Sequence, residues 1–222
     1  MTATVGKAKG RALSNIDIAW IVILAWVAVE LVIFSNVGSW SMVAFTLVFG
    51  FLFGGLAWRF RASVRPAFRR AGLDNIGGFL LLAFWISVFE EVLCYGLGNR
   101  VANPILWADI IQVSVTWLFW FATWYLYIAK RYAFSKKEAL LVGASVGILY
   151  ECVSSGTVFG NPLVLLMSPM VVIIYAAIFV LPLQLIDLKG KDDSAWKYPV
   201  GIVLPYLASL PMGVVLAIIL PR

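Results

Sequence analysis

The sequence predicts an all-α membrane protein, a polytopic bundle of seven transmembrane helices, and three observations carry that prediction. Of the 222 residues, 63% are hydrophobic and 13% charged, whereas a soluble domain is about 45–50% apolar and about 25% charged. Mean hydropathy is +0.96, which also excludes a disordered chain, since disorder needs low hydrophobicity and high net charge. The apolar residues fall into runs near the ~20 residues that cross a ~30 Å hydrocarbon core. The connections between those runs alternate between nearly uncharged and strongly basic.

Taken in order, residues 1–15 form a polar, basic tail with Lys7, Lys9 and Arg11, and the remaining residues, 16–220, form one transmembrane domain. The first span, 16–34, is full length and lacks a small-residue cleavage pattern, so it reads as a retained helix rather than a signal peptide. The second, 41–58, carries Gly50 and Gly54, a spacing that lets two helix backbones approach closely. The third, 76–97, and fourth, 105–129, hold acids within apolar surroundings, as does the fifth, 139–159. The sixth, 163–186, contains Pro169 and Pro182, and the seventh, 198–220, contains Pro205 and Pro211; these prolines predict kinks that frame a cavity. Loops 35–40, 98–104 and 160–162 are short and nearly uncharged, while 59–75, 130–138 and 187–197 are rich in Lys and Arg. Fifteen of the seventeen basic residues lie on the tail and the three basic loops, leaving only Arg100 and Arg222 on the other side. That asymmetry predicts a multi-pass integral protein of the cell membrane, its N-terminus cytoplasmic and its C-terminus outside. The surplus charge of +6 is then a topology signal and a contact for anionic headgroups on the cytoplasmic face, not a nucleic-acid site.

At about 1.5 Å of rise per residue, Glu30 lies roughly 21 Å along the first span, Glu90 and Glu91 about 21–23 Å along the third, and Glu151 about 18 Å along the fifth. Asp109, descending from the opposite side, lies roughly 6 Å below the outer edge. Five acids on four spans therefore share one slab in the outer half of the membrane, and a common cavity accounts for the coincidence. Glu91 has Ser87 at i−4, Cys94 at i+3 and Tyr95 at i+4; Glu151 has Gly147 on one side and Ser154 and Ser155 on the next turn; and Asp109, Gln112, Thr116 and Trp120 form a third stripe. An acid at a helix centre costs about 2.5–3.5 kcal/mol to insert, and no basic residue lies deep in any span. Either the carboxyls carry protons at neutral pH or bound cations supply the missing charge; a third reading makes them interhelical hydrogen-bond donors with no further role.

Histidine is absent, which excludes Ser-His-Asp and Cys-His nucleophile systems and imidazole-held zinc. Cys94 and Cys152 sit inside apolar runs and read as small buried hydrophobes. Adjacent carboxyls remain capable of general acid–base work. A metal, were there one, would be an oxygen-ligated divalent cation such as Mg, Mn or Ca. The run Phe89-Glu90-Glu91-Val92-Leu93-Cys94-Tyr95-Gly96 resembles the first motif of the CAAX-protease and bacteriocin-processing family of intramembrane glutamate proteases, with Tyr95 where that family has Arg. The stretch Gly143 to Gly156 is similar to its later Gly-rich helix, and Thr123 stands where its first histidine belongs. The resemblance implies Glu90 and Glu91 as acid–base groups of an intramembrane hydrolase, or of a proteolytically inactive relative. The same run, with Tyr95 and then Asn99 following, is also similar to the paired-glutamate motif of the small membrane lycopene cyclases. That likeness implies alkene protonation, with Trp117, Trp120 and Trp124 steadying a carbocation.

The functional expectation is a membrane-embedded acid–base enzyme acting on a lipidic or membrane-embedded substrate. Glu90, Glu91, Glu151 and Asp109 are its acid–base groups, and Tyr95, Asn99, Arg100, Gln112, Trp120 and Tyr150 line its substrate site. A proton- or cation-coupled transporter using the same acids, and a structural or assembly subunit, stand as the alternatives.

Overall fold

The computed structural model describes residues 13–99 and 102–221, and among these it is wholly helical, without a β-strand. In chain order the elements are α1 Asn15–Asn36, α2 Trp40–Arg70, α3 Ile76–Gly96, α4 Leu106–Arg131, α5 Lys136–Ala144, α6 Pro162–Phe179 and α7 Lys197–Ile219. All but α5, six in number, are long and apolar enough to cross a membrane. The class is therefore an α-helical bundle built for a bilayer. Among the described residues, the outward faces carry large apolar side chains, among them Ile21, Val22, Trp85 and Ile218, as lipid contact requires.

Local chemistry sets the helix ends. Ser14 with Asp17, and Ser135 with Glu138, form capping boxes at α1 and α5, and Asn75 accepts the Gly78 N–H at 3.0 Å to start α3. Helices α2 and α3 both end on a glycine in the left-handed region, Gly72 (φ 72°) and Gly98 (φ 85°). The next residue then reaches back across the last turn, Leu73 N–H to Phe68 O at 2.8 Å and Asn99 N–H to Cys94 O at 3.0 Å.

Two expectations need correction. Residues 59–75 are not a loop throughout, because α2 runs on to Arg70: Arg, Ala and Phe keep the helical ladder going until Gly72. The fifth predicted span, 139–159, is not one helix. It breaks after Ala144, continues as one turn (Val146–Ile148), then as a π-helical turn (Leu149–Ser154), and finishes in the short helix Thr157–Gly160. Gly143, Ser145 and Gly147 alternate at the break, and the Ser145 hydroxyl donates back to Leu141 O at 2.9 Å, a bond that bends helices. Both glycines serve packing: a Cβ on Gly143 would lie 2.3 Å from the Phe179 ring, and one on Gly147 2.5 Å from the Tyr175 ring. The broken segment thus gives up helical regularity to receive two α6 aromatics.

Half of α6's span is buried against 11% for α1, which makes α6 the central helix and α1 the outermost. Gly50 and Gly54 bring α2 against α6, their would-be Cβ atoms 3.1 Å from Ile173 and 3.0 Å from Ala177, as the small-residue spacing predicts. Helix α4 packs between α3 and α7. Pro169 sits in the opening turn of α6's α-helical part, where its missing N–H costs nothing, and Pro182 opens the 3-10 turn Pro182–Leu185. Pro205 and Pro211 lie inside the continuous helix α7.

The described basic segments gather at one end of the bundle. Arg65 bridges Asp74 (3.3 Å) and Asp187 (2.6 Å), Lys137 pairs with Asp17, and Lys197 joins Glu138 (2.8 Å) to Asp193 (2.6 Å). The opposite end is closed by Asn99 Nδ2 donating to Ser41 O at 3.4 Å and Asn103 Nδ2 donating to Pro221 O at 2.8 Å.

Candidate functional site

Helices α3, α4, α6, α7 and the broken segment surround a cavity of about 450 Å³. Glu90 and Glu91, in the last two turns of α3, line it together with Glu151 from the π-helical turn. On α3 the outward face carries exposed Trp85, Phe89 and Val92, while Glu90 and Glu91 point inward; Ser87, one turn before Glu91, donates to Ser114 at 2.9 Å and fastens α3 to α4. Glu90 is 6% and Glu91 3% exposed, and one buried carboxyl oxygen of each, Oε2, has no hydrogen-bond partner. Unsatisfied buried oxygens of this kind are costly and call for an explanation.

Glu151 is held differently. Its Oε1 accepts the Tyr175 hydroxyl at 2.8 Å. Around it stand Trp117, with its ring 5.0 Å from that of Tyr175, and Tyr150, stacked on Tyr175 at 6.1 Å with 17° between planes. Tyr150 also shares a hydrogen bond with Ser209, and Tyr206 one of 2.9 Å with Ser154, tying α7 to the broken segment. The lining is thus acidic and aromatic together.

A second cavity of about 180 Å³ adjoins the first, and Glu90, Glu151 and Tyr175 line both. Its other walls are mostly apolar, with Met42, Phe45, Met167 and Met170, and they include Cys94 and Cys152, both free thiols and buried.

The other expected residues divide. Gln112 and Tyr150 line the larger cavity and Asn99 the smaller. Asp109 is 1% exposed and accepts the backbone N–H groups of Ala102 (3.2 Å) and Asn103 (2.8 Å), so it pins the α3–α4 connection beside the cavity. Trp120 is fully buried between Trp117, Phe121 and Phe179 and lines neither cavity; Trp117, one turn earlier, takes the wall position. The Tyr95 hydroxyl donates to Pro104 O at 3.2 Å in the connection. Arg100 lies outside the described residues. Glu30 is buried at 4% exposure on the outermost helix, with neither oxygen hydrogen-bonded, and lines neither cavity. Sequence reasoning missed Tyr175 and Tyr206, which gave no signal within their own apolar helices, and saw Ser154, at i+3 from Glu151, only as a neighbour of that acid.

Among the described residues no three Cys, Asp or Glu side chains converge as ligands for a metal ion. Comparison with family models, curated proteins and solved structures finds no match to this chain.

Proposed function

We propose that the chain crosses the membrane seven times, with its N-terminus cytoplasmic, and that its larger cavity carries out acid–base chemistry on an amphiphilic, membrane-embedded substrate. Parity supports the crossing number. Helix α1 starts at the end where Asp17 meets Lys137, and α7 finishes at the other, where Asn103 meets Pro221. A chain that begins at one end and finishes at the other traverses an odd number of times. Residues 136–154 supply the extra crossing, at about 1.5 Å per residue a path of roughly 28 Å. The charge asymmetry of the loops supports the orientation, which puts the carboxyls in the outer half of the bilayer.

The observation that carries the chemistry is a set of three carboxyls, Glu90 and Glu91 buried with one unpartnered oxygen each and Glu151 bonded to Tyr175, lining one cavity together with Trp117, Tyr150 and Tyr175. A carboxylic acid delivers a proton to a carbon–carbon double bond, the aromatic faces stabilise the resulting cation, and a neighbouring carboxylate removes a proton from the adjacent carbon. The net reaction is an isomerisation or cyclisation of an unsaturated lipid, balanced without a cofactor. The smaller apolar cavity suits the chain of such a substrate and the larger one its polar part. The likeness to the glutamate proteases extends to Glu90, Glu91 and Gly96, and the hydrolytic variant of the proposal replaces the alkene with a water activated by the same pair.

The test is deuterium transfer. Proteoliposomes of the full chain are incubated in heavy water with a total membrane lipid extract, and the lipids are read by mass spectrometry. Deuterium entering one unsaturated lipid with the wild type and not with Glu91→Gln supports the enzyme. Absence of lipid labelling and of any lipid cleavage product overturns it. A second reading has its own support, since Glu90, Glu151 and Tyr175 stand between two cavities as a proton-carrying partition would. Proton-coupled transport predicts a proton flux across the same proteoliposomes, followed by an internal pH dye and abolished in Glu91→Gln.

A further inference from the structure

At the opposite end of the bundle, the last three turns of α2, the first residue of α5 and the 3-10 turn after α6 enclose an open groove of about 590 Å³. Five cationic side chains line it, Arg61, Arg65, Arg69, Arg70 and Lys136, and no acid does. Asp74 pairs with Arg65 and Arg69, and Asp187 with Arg65, while Arg61, Arg70 and Lys136 make no ion pair among the described residues. Asp187 is itself shared with Lys189 at 2.9 Å.

This accumulation is not explained by helix stability. Arg61, Arg65 and Arg69 repeat at i, i+4 and i+8 on one face, a like-charge spacing that destabilises a helix unless a counter-charge is present. A cation in the last turn favours the helix dipole, which accounts for Arg69 and Arg70. It does not account for Arg61, two turns earlier, or for Lys136, which occupies the first turn of α5, where the dipole disfavours a cation. Each of the two is held in place by its own contact. The Arg61 guanidinium lies 3.8 Å over the Trp58 ring, and Lys136 Nζ donates at 2.8 Å to Oε1 of Gln184, which is 5% exposed. Burial, followed by the charges of Arg65 and Arg61 and against the pull of Asp187, pushes the Lys136 ammonium below its ordinary value.

We infer that this groove binds a phosphate group, delivered either as the headgroup of an anionic phospholipid or as a free phosphate. Guanidinium forks match phosphate oxygens in pairs, and basic pockets between helices at the cytoplasmic side are suited to phospholipid headgroups. The volume exceeds what one phosphate fills and leaves room for a headgroup with its glycerol. The site stands apart from the carboxyl cavities and does not depend on their chemistry.

The experiment uses the full chain in a neutral detergent. Dioleoyl phosphatidylglycerol, dioleoyl phosphatidylcholine and inorganic pyrophosphate are titrated separately, with the thermal midpoint and native mass spectrometry as readouts. Stabilisation and a retained adduct with phosphatidylglycerol and not with phosphatidylcholine assign the groove to an anionic lipid; stabilisation by pyrophosphate alone assigns it to a free phosphate. Arg61→Gln combined with Lys136→Gln weakens binding about thirtyfold, at roughly fivefold per cation. Should that double variant fail to fold, Arg70→Gln, exposed and without an ion pair, weakens binding about fivefold. The control pair Lys130→Gln and Lys191→Gln, exposed and outside the groove, changes nothing. No stabilisation by either phosphate compound, or an equal loss in the control pair, overturns the inference.

Discussion

The chain's eleven acidic residues divide six to five between the two ends of the bundle. At the basic end, Asp17, Asp74, Glu138, Asp187, Asp192 and Asp193 each make an ion pair. At the other end Glu30, Glu90, Glu91, Asp109 and Glu151 make none among the described residues, although all but Glu151 are at least nine-tenths buried. The first end is what a chain does when its charges serve stability. The second departs from it where the cost is highest, because an unpaired carboxyl in a dry interior is far more expensive than one near water. Such a departure persists where function requires it. Acid-end substitutions should then cost activity and leave stability intact or improved, while basic-end substitutions should do the reverse.

The largest expected effect is on turnover. Glu91→Gln lowers the rate of lipid deuteration by about 10²–10⁴-fold, the usual contribution of one positioned proton-transfer group, with the thermal midpoint unchanged. A comparable fall in the midpoint would reduce Glu91 to a packing residue and erase the contrast between the ends. Next comes Lys197→Met. Lys197 is 6% exposed and satisfies Glu138 and Asp193 together, so its loss leaves Glu138 to Tyr198 and the Ser135 backbone and costs about 2 kcal/mol in a denaturation measurement, with turnover per folded molecule unaltered. Smaller and opposite in sign is Glu30→Met. Neither Glu30 oxygen has a partner, and removing an unsatisfied buried group of this kind stabilises by about 1 kcal/mol; a loss of activity instead would bring Glu30 into the working site.

The smallest effect is the acid limb of stability, which should belong to the basic end. Burial works to raise Glu138, but hydrogen bonds from Lys197, Tyr198 and the Ser135 backbone outweigh it and hold the carboxyl below its ordinary 4.5. Asp187 is held below 3.8 by its hydrogen bond from Lys189 and then by Arg65. Groups with folded values depressed in this way contribute stability that is complete above their unfolded values and lost as pH falls through the folded ones. Thermal midpoints should accordingly stay level from pH 7 to about pH 5 as far as these two groups are concerned and decline below about pH 4.5, with a shallower decline in Lys197→Met.

Much of the architecture was legible in one dimension. Six of the seven apolar runs became helices, and α1, α3, α4 and α7 lie within a few residues of their expected limits, because hydrophobic length and glycine stops act locally. Helix α2 instead runs on to Arg70 and α6 stops at Phe179, before the expected 186. That Gly50 and Gly54 seat α2 closely on another helix was legible, but that this helix is α6 was not. The fifth run was misread because its hydropathy is uniform while its backbone is not. What breaks it is the seating of Tyr175 on Gly147 and of Phe179 on Gly143, 28 and 36 residues away in the chain. The paired acids were conspicuous as charges in apolar helices, but their aromatic counterparts were not: Tyr175 and Tyr206 look like any other tyrosine in an apolar run until the helices meet.

By itself the sequence determined that this chain belongs in a membrane, roughly where its helices begin and end, and which residues carry charge into the interior. Those are properties of single segments, set by transfer free energy and by backbone groups that each helix must satisfy within itself. Only the tertiary structure decided that Glu90, Glu91 and Glu151 share a cavity while Glu30 stands elsewhere, that Trp117 rather than Trp120 forms the wall, and that Arg61 and Lys136 meet across a groove. The rotation of one helix against another depends on which side chains interlock, and that is a relation between segments that no segment contains.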